Sequence, residues 1–146
     1  MTAPVFVDTN VLIYAMDSAD LKKQEAAGAW RAELWKRRQG RISFQVLQEF
    51  YAKVARQWPH VRQDARTEVR DLLAWQPVVV DGVILEGAWK IQDRYQISFW
   101  DALIVAAAKS ASCRYLLSED LQAGQDFAGL VVINPFRTTP TSLLDT

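Results

Sequence analysis

Short apolar runs alternate with longer segments of helical periodicity along this chain of 146 residues. Runs of three or four residues without a polar break are typical of parallel strands that are buried on both faces. We predict five such strands, at residues 5–8, 41–44, 78–80, 115–117 and 130–133. Because helical segments alternate with them, the sequence predicts an α/β fold, a three-layer α/β/α sandwich around a central, mostly parallel sheet.

The helical segments have recognisable ends. We predict helices at residues 11–16, 21–38, 45–58, 61–75, 83–95 and 101–110. Gly40 follows the second helix and Pro59 stops the third, as expected for helix C-termini. The last helix is apolar on all sides, so it should be buried. We expect one domain over residues 1–136 and an irregular tail over residues 137–146, which is rich in Ser and Thr.

The composition suits one soluble domain with a single core, because half of the residues are apolar. Cys113 is the only cysteine and cannot form an internal disulfide, which favours a reducing cytoplasm and a role as a small buried filler. The N-terminus lacks the basic start and apolar core of a secretory signal. The longest uncharged apolar run, residues 102–108, is far shorter than the ~20 residues that span a bilayer.

Charge is unevenly distributed although the formal net charge is zero. Residues 21–70 hold twelve Lys or Arg and five Asp or Glu, and the remainder holds five basic and twelve acidic residues. A basic segment can hold phosphates, and an acidic pocket can hold a metal ion. The alternative that charge alone leaves open is that both are ordinary solvated helix faces. Arg62, Arg66 and Arg70, spaced four apart, form one basic stripe that is a candidate for tracking an RNA backbone.

Four carboxylates mark the candidate site. Asp8 ends the first strand, Asp101 opens the apolar helix, Asp120 follows the fourth strand, and Glu49 lies at the edge of the apolar face of its helix. Strand ends and helix starts share one rim of an open α/β sheet, where ligands bind. Carboxylates crowded in a partly dry cleft stay ionised only if cations neutralise them, and hard oxygen ligands favour Mg²⁺ or Mn²⁺.

Each acid has a structural alternative when it is taken alone. Asp8 is in a position that suits a turn residue, Asp101 is placed to be a satisfied capping acid, and Ser118 could cap a helix that starts at Glu119.

The sequence lacks the motifs of several other kinds of catalytic or cofactor-binding site. His60 is the only histidine, there is no CxxC pair, and no glycine-rich phosphate loop occurs.

The acidic motifs resemble those of PIN-domain ribonucleases. The resemblance rests on Val7-Asp-Thr-Asn-Val-Leu12, on Gln48-Glu-Phe50, on Ser98-Phe-Trp-Asp-Ala-Leu-Ile104, and on Leu117-Ser-Glu-Asp120, where Ser118 stands in place of the usual Thr. Asn134-Pro-Phe136 is also similar to the end of small bacterial members. The length is similar to that of VapC-type toxins. The resemblance implies a Mg²⁺- or Mn²⁺-dependent endoribonuclease, a homodimer, and a small antitoxin protein that blocks the pocket.

Roles for the individual residues follow as a hypothesis of metal-assisted phosphodiester hydrolysis. Asp8, Asp101 and Asp120 would bind one or two divalent ions, and Glu49 would complete the set of ligands. Thr9 and Asn10 would orient Asp8. We prefer Asp120 over Glu119 as the fourth acid because it matches the motif.

The aromatic residues allow two readings each. Trp30 and Trp35 belong either to the core or to a groove for an antitoxin helix, and we favour the core. Trp100 either stacks on a base or packs beneath the pocket, and we favour packing.

Two other classes of function remain open. One is a phosphatase or phosphoacceptor domain with Asp8 as nucleophile. Such sites pair a second acid two residues on or a lysine near the fourth strand, whereas here Asn10 follows Asp8 and residues 114–120 contain no lysine. The other is an inactive RNA- or protein-binding module that retains the acids for stability.

Overall fold

A computed structural model describes residues 3–145 of the chain, and Met1, Thr2 and Thr146 lie outside the described residues. The strands are β1 (Val5–Val7), β2 (Gly40–Arg41), β3 (Tyr115–Leu117), β4 (Asp126–Phe127) and β5 (Leu130–Ile133). The helices are α1 (Thr9–Met16), α2 (Leu21–Arg37), α3 (Phe44–Gln57), α4 (Arg62–Leu72), α5 (Gly82–Tyr95), α6 (Phe99–Ser110) and α7 (Pro140–Leu144).

The five strands form one sheet in the order β2-β1-β3-β5-β4. The first four strands of that order are parallel, and β4 is antiparallel to β5. Val7, Leu117 and Ile133 are in register at the carboxyl ends of β1, β3 and β5. The predicted α/β class with a mostly parallel central sheet is confirmed, and the segments that follow these three strand ends meet at one edge.

One strand prediction was wrong, and one strand of the sheet was not predicted. Residues 78–80 form no strand; Val78 makes a single parallel bridge to Ser43, just beyond the end of β2. The fifth strand of the sheet is instead β4, which pairs with β5 through a short turn at Ala128 and Gly129. Both of these turn residues have positive φ, and the amide of Gly129 donates to the carboxylate of Asp126. A two-residue strand is too short to show periodicity, so no local pattern predicts it.

Side-chain caps explain where most helices begin. Asp8, Asp20, Ser43, Asp81 and Ser98 each accept a hydrogen bond from a backbone amide in the first turn of the helix that follows. Such caps satisfy amides that have no partner within the helix. The segment predicted as a helix over residues 61–75 is α4 flanked by two short 3-10 turns.

Helices cover the sheet in two groups. Helix α1 packs against α2 and α3, and α3 packs against α4, whereas α5 packs along α6. Helix α6 is buried from Ala102 to Ala108, as its uniformly apolar sequence predicts. The core prediction holds for Trp30, which is 1% exposed, but Trp35 is 41% exposed. Cys113 is buried, and burial raises the pKa of its thiol to about 12. None of the helices within residues 3–145 is long and apolar enough to cross a membrane.

The C-terminal segment differs from the predicted irregular tail. Residues 140–144 form helix α7, which is capped by Thr139 and contacts α2. The indole Nε1 of Trp30 donates to the carbonyl oxygens of Pro135 and Thr138, at 3.1 and 3.0 Å. A buried indole donor requires such a partner, and it ties the segment to the core. The separation of this tail from a domain that ends at residue 136 stays a prediction.

The β2 edge offers a test of packing. A Cβ at Gly40 would overlap the indole ring of Trp75, whereas a Cβ at Gly28, inside α2, would meet open space. We expect Gly40→Ala to lower the free energy of unfolding by about 1–3 kcal/mol through overpacking. Gly28→Ala, the matched control, should raise it by about 0.5–1 kcal/mol. Urea unfolding measures both, and equal effects of the two substitutions would contradict the packing at Gly40.

Candidate functional site

The four predicted carboxylates line one small pocket of about 70 Å³ at the carboxyl edge of the sheet. Asp8 follows β1, Asp120 lies just after β3, Asp101 is in the first turn of α6, and Glu49 is in α3. These residues come from four separate stretches of sequence, so only the fold brings them together. The lining residues are Asp8, Thr9, Asn10, Gln45, Glu49, Lys53, Trp100, Asp101, Ile104 and Asp120.

Asp8 is the buried acid of the pocket. Its Oδ1 accepts from the backbone amide of Thr9 at 2.7 Å, and its Oδ2 accepts from the hydroxyl of Ser118 at 2.9 Å. Only 8% of the residue is exposed. Burial raises the pKa of Asp8 to about 6; the two hydrogen bonds oppose this rise, and the charges of Asp120 and Asp101 add to it. Asp8 therefore carries a negative charge near neutral pH at a cost in free energy.

Ser118 and Asn10 position the acids on either side of the strand edge. The hydroxyl oxygen of Ser118 accepts from the amides of Asp120 and Leu121 while it donates to Asp8. The predicted alternative, Ser118 as the cap of a helix at Glu119, is wrong because no helix forms there. The side-chain amide of Asn10 donates to Oδ2 of Asp120 at 2.7 Å. Asn10 was predicted to orient Asp8, but it orients Asp120 instead.

Thr9 contacts Asp8 only through its backbone amide. Its hydroxyl is buried and has no hydrogen-bond partner within residues 3–145. The Oε1 atom of Gln45, which also belongs to this pocket, is likewise buried without a partner in the described chain. Unpartnered buried polar atoms cost about 1–3 kcal/mol each. Two residues that line the pocket therefore each carry one buried polar atom without a partner in the described chain.

The side-chain carboxylates of Asp101 and Glu49 differ from that of Asp8 in having no hydrogen-bond or ion-pair partner in residues 3–145. Asp101 is half-buried, and the cap of its helix is Ser98, which accepts from the backbone amide of Asp101 at 3.1 Å. The alternative of Asp101 as a satisfied capping acid is therefore wrong. Glu49 is half-buried on α3, beside the buried Val46 and Phe50. Both carboxylates remain available to a ligand.

The carboxylate of Glu119 interacts with residues outside the acidic pocket. Its carboxylate forms an ion pair with Lys23 and accepts a hydrogen bond from the hydroxyl of Tyr14 at 3.4 Å. The hydrogen bond to Glu119 is the main reason that the pKa of Lys23 is raised. Glu119 does not line the acidic pocket, whereas Asp120 does. The geometry thus places Asp120, the preferred choice from the sequence, with the other three acids.

The donor set suits a hard divalent cation in its chemistry, since it offers carboxylate, amide and hydroxyl oxygens and no sulfur or imidazole. Within residues 3–145, however, no group of three or more acidic, His or Cys side chains is already arranged to hold a metal ion. The four carboxylates share the pocket without converging on one point. Binding an ion there would require carboxylates to move closer together, and those of Glu49 and Asp101 have no other partner in residues 3–145.

Three residues of the pocket were not predicted from the sequence: Gln45, Lys53 and Ile104. Gln45 and Lys53 lie one helical turn before and after Glu49, so the i±4 spacing on α3 could have identified them. Ile104 follows Asp101 by three residues on α6. Trp100 was expected to pack beneath the pocket, but it is 66% exposed and lines the pocket wall. Its ring meets Phe99 edge to face at 5.3 Å.

The basic segment lies partly elsewhere. Arg66 and Arg70 line a groove of about 460 Å³ between α3 and α4, together with Phe44, Leu47, Gln48, Tyr51 and Val69. This groove shares no lining residue with the acidic pocket. Other basic side chains of the segment are neutralised, as in the ion pair of Arg31 with Glu68. The basic stripe therefore does not line the acidic pocket.

An α/β sandwich with four carboxylates at the carboxyl edge of its sheet defines a class of protein in which ligands bind at that edge. A family model described as "PIN domain" matches residues 5–125. The chain belongs to the PIN domain family, which confirms the resemblance seen in its sequence motifs.

Solved structures that share the fold include a toxin–antitoxin complex and a toxin. One is a toxin–antitoxin complex from Klebsiella pneumoniae, with a TM-score of 0.65 and 21% identity over 90% of this chain and 97% of that chain. The other is VapC20 of Mycobacterium tuberculosis, described as a Sarcin-Ricin loop cleaving toxin, with a TM-score of 0.61 and 21% identity over 80% and 89%. No curated protein matches the chain.

The buried charge of Asp8 predicts a pH dependence of stability. Its pKa is about 6 in the folded protein and near 3.8 when unperturbed, so the folded state binds the proton more tightly. The free energy of unfolding should therefore fall as pH rises from about 4 to about 6 and level off above, by up to ~3 kcal/mol. Asp8→Asn should lack this decline. Urea unfolding of both proteins in EDTA, from pH 4 to 8, measures the difference; parallel curves would contradict the buried charge.

Proposed function

We propose that this protein is a Mg²⁺- or Mn²⁺-dependent endoribonuclease that cleaves RNA phosphodiester bonds, and that it acts in the cytoplasm as the toxin of a toxin–antitoxin pair. One observation carries the proposal: Asp8, Glu49, Asp101 and Asp120, from four distant stretches of sequence, line one pocket in a PIN-domain fold. Four carboxylates in so small a space favour a divalent cation and a phosphate ester over an anionic ligand bound alone.

Asp8, Asp101, Asp120 and Glu49 would hold the divalent ion or ions. When bound, such an ion lowers the pKa of a coordinated water and offsets charge on the reacting phosphate. Ser118 and the amide of Thr9 keep the two oxygens of Asp8 fixed, and Asn10 keeps Asp120 facing the same space. The exposed ring of Trp100 at the pocket wall offers a surface on which a base can stack.

The raised pKa of Asp8 favours cation binding in this proposal. Burial and the neighbouring acids raise the pKa of Asp8 to about 6, so a bound cation would stabilise its charged form. The carboxylates of Glu49 and Asp101, which have no other partners in residues 3–145, can orient the attacking water or the leaving oxygen.

The antitoxin and the homodimer are supported by likeness and by surface composition. A solved structure with this fold is a toxin–antitoxin complex. Phe44 and the neighbouring apolar residues of the α3–α4 groove, edged by Arg66 and Arg70, suit an amphipathic helix that carries acidic residues. Val79 and Val83 are exposed near the start of α5 and are suited to a contact between two copies.

Replacing pocket acids by their amides should abolish cleavage without unfolding the protein. We expect Asp8→Asn, Asp101→Asn and Asp120→Asn to reduce metal-dependent RNA cleavage by about 100-fold or more, since even outer contacts to a metal typically contribute 10–100-fold. Glu119→Gln, one residue from Asp120 and paired with Lys23, is the matched control and should cleave normally. Gel-resolved cleavage of total RNA with Mn²⁺ measures activity, and circular dichroism checks the fold.

Two further measurements, with EDTA to remove the metal ion and with a small phosphate ester as substrate, complete the cleavage experiment. EDTA should stop cleavage, and added Mg²⁺ or Mn²⁺ should restore it. Cleavage that persists in Asp8→Asn or in EDTA would refute the metal-dependent reading. Release of phosphate from a small ester without RNA cleavage would favour a phosphatase or phosphoacceptor domain; Lys53, supplied by α3 rather than by the fourth strand, is the lysine that such a site would use. Absence of both activities would favour a binding module.

A substitution on the groove tests the partner. Leu47 and Tyr51 line the α3–α4 groove, and Tyr51 accepts a hydrogen bond from Arg66. Exchange of Arg66 and Arg70 for Glu should lower the affinity for an acidic antitoxin helix by about tenfold or more, because two attractive charge contacts become repulsive. Co-purification with the product of an adjacent small gene measures the effect. Unchanged binding would place the antitoxin on another surface.

A further inference from the structure

Lys53 is a cation in an acidic pocket. It is the one basic residue among the ten described residues that line the pocket with Asp8, Glu49, Asp101 and Asp120. It lies on α3 four residues after Glu49, and Gln45 lies four residues before. The three side chains therefore form one line along the helix, about 12 Å from end to end. The line follows the flank of α3 away from the groove that holds Arg66 and Arg70.

Lys53 makes no ion pair with any of these carboxylates. Within residues 3–145 the ion pairs involve Lys23, Arg31 and Arg37, and no hydrogen bond of the Lys53 ammonium is found. Lys53 and Glu49 have the i,i+4 spacing at which such pairs commonly form on helices. Lys23, by contrast, is held by Glu119 and Tyr14. The ammonium of Lys53 is thus free to meet a ligand at the mouth of the pocket.

The flank of α3 beside the pocket is open to a ligand at its Lys53 end. Lys53 is exposed, whereas the hydroxyl of Thr9 and the Oε1 of Gln45 are buried and lack a partner in the described chain. Because those two atoms are closed to solvent, Lys53 is the polar group of this flank that an entering ligand can reach. An ammonium without a carboxylate partner binds an anionic group, and the backbone of an RNA strand supplies one at each phosphate.

We propose that Lys53 binds a phosphate of the RNA strand and places that strand along the Gln45–Glu49–Lys53 edge of α3. The proposal rests on the ribonuclease function proposed above and adds the residue that holds the substrate on the acidic side of α3. It also makes a prediction about the metal. The positive charge of Lys53 attracts phosphate but repels a divalent ion in the same pocket, so its removal should change the two affinities in opposite directions.

Opposite changes in the affinities for RNA and for the divalent ion distinguish a lysine that binds the ligand from one that only supports the fold. A lysine that only supports the fold would weaken both affinities when it is replaced, and a solvated surface lysine would change neither. Coulomb's law for charges about 8 Å apart in a wet pocket gives a two- to fivefold gain in divalent-ion affinity after loss of the lysine. Loss of one charged contact to phosphate gives a roughly three- to tenfold loss in RNA affinity.

The experiment compares Lys53→Ala, Lys53→Arg and Lys90→Ala with the unaltered protein. Lys90 is an exposed lysine of α5 that does not line the acidic pocket. Calorimetry measures Mn²⁺ affinity without RNA, and fluorescence anisotropy measures the affinity for a single-stranded RNA in EDTA over a range of salt. We expect Lys53→Ala to bind Mn²⁺ more tightly and RNA more weakly, with a salt slope smaller by about 0.7, as for loss of one phosphate contact to a single strand. Lys53→Arg should retain RNA affinity, and Lys90→Ala should change neither.

Three results would overturn the proposal. They are unchanged RNA affinity in Lys53→Ala, a weaker affinity for Mn²⁺ in that variant, or a loss of RNA binding as large in Lys90→Ala. A large loss of RNA affinity in Arg66→Ala with Arg70→Ala, beside none in Lys53→Ala, would place the strand in the α3–α4 groove instead. Failure of the proposed function looks different: the unaltered protein would neither bind nor cleave RNA. If it cleaves RNA while Lys53→Ala behaves identically, only the role of Lys53 is lost.

Discussion

The hydrogen bond from Ser118 to Asp8 joins the carboxyl ends of the two adjacent strands β1 and β3, and the arrangement of the site depends on it. The same hydroxyl accepts from the amide of Asp120, so a single side chain fixes the positions of two acids. Asp8 in turn caps α1 and thereby sets where Asn10 lies, and Asn10 holds Asp120. Two of the four carboxylates are thus linked by a closed chain of contacts at the sheet edge.

The buried charge of Asp8 lowers the stability of this arrangement. Burial and the neighbouring acids disfavour its charge, and its pKa rises to about 6 in spite of two hydrogen bonds. Strongly shifted pKa values occur often at functional sites. The surrounding fold sustains the buried charge because β1 and β3 are fully embedded in the core, with Phe6 and Leu116 completely buried. The rigid part of the site is therefore Asp8, Ser118 and Asp120, whereas Glu49 and Asp101 have no partner in residues 3–145 that restrains them.

Helix α3 separates two surfaces of opposite character. One flank presents Gln45, Glu49 and Lys53 to the acidic pocket, and the other contributes Phe44 and Tyr51 to the groove shared with α4. In the function proposed here, RNA and a protein partner would meet opposite flanks of one helix. The buried side chains of Val46, Phe50 and Val54 anchor α3 between these two surfaces.

The sequence by itself determined the fold class, the family motifs and the four acids, because continuous apolar runs, strand-end acids and helix periodicity are local signals. The sequence pattern predicted no strand at β4, because a two-residue strand has no periodicity. It predicted a strand at residues 78–80 that does not form, because a run of valines need not pair with another strand. Only the tertiary structure decided that Asn10 serves Asp120, that Glu119 is taken by Lys23, and that Lys53 and Trp100 line the pocket. These facts depend on contacts between residues as much as 110 positions apart, and no local pattern encodes which side chains the packed sheet and helices bring within reach.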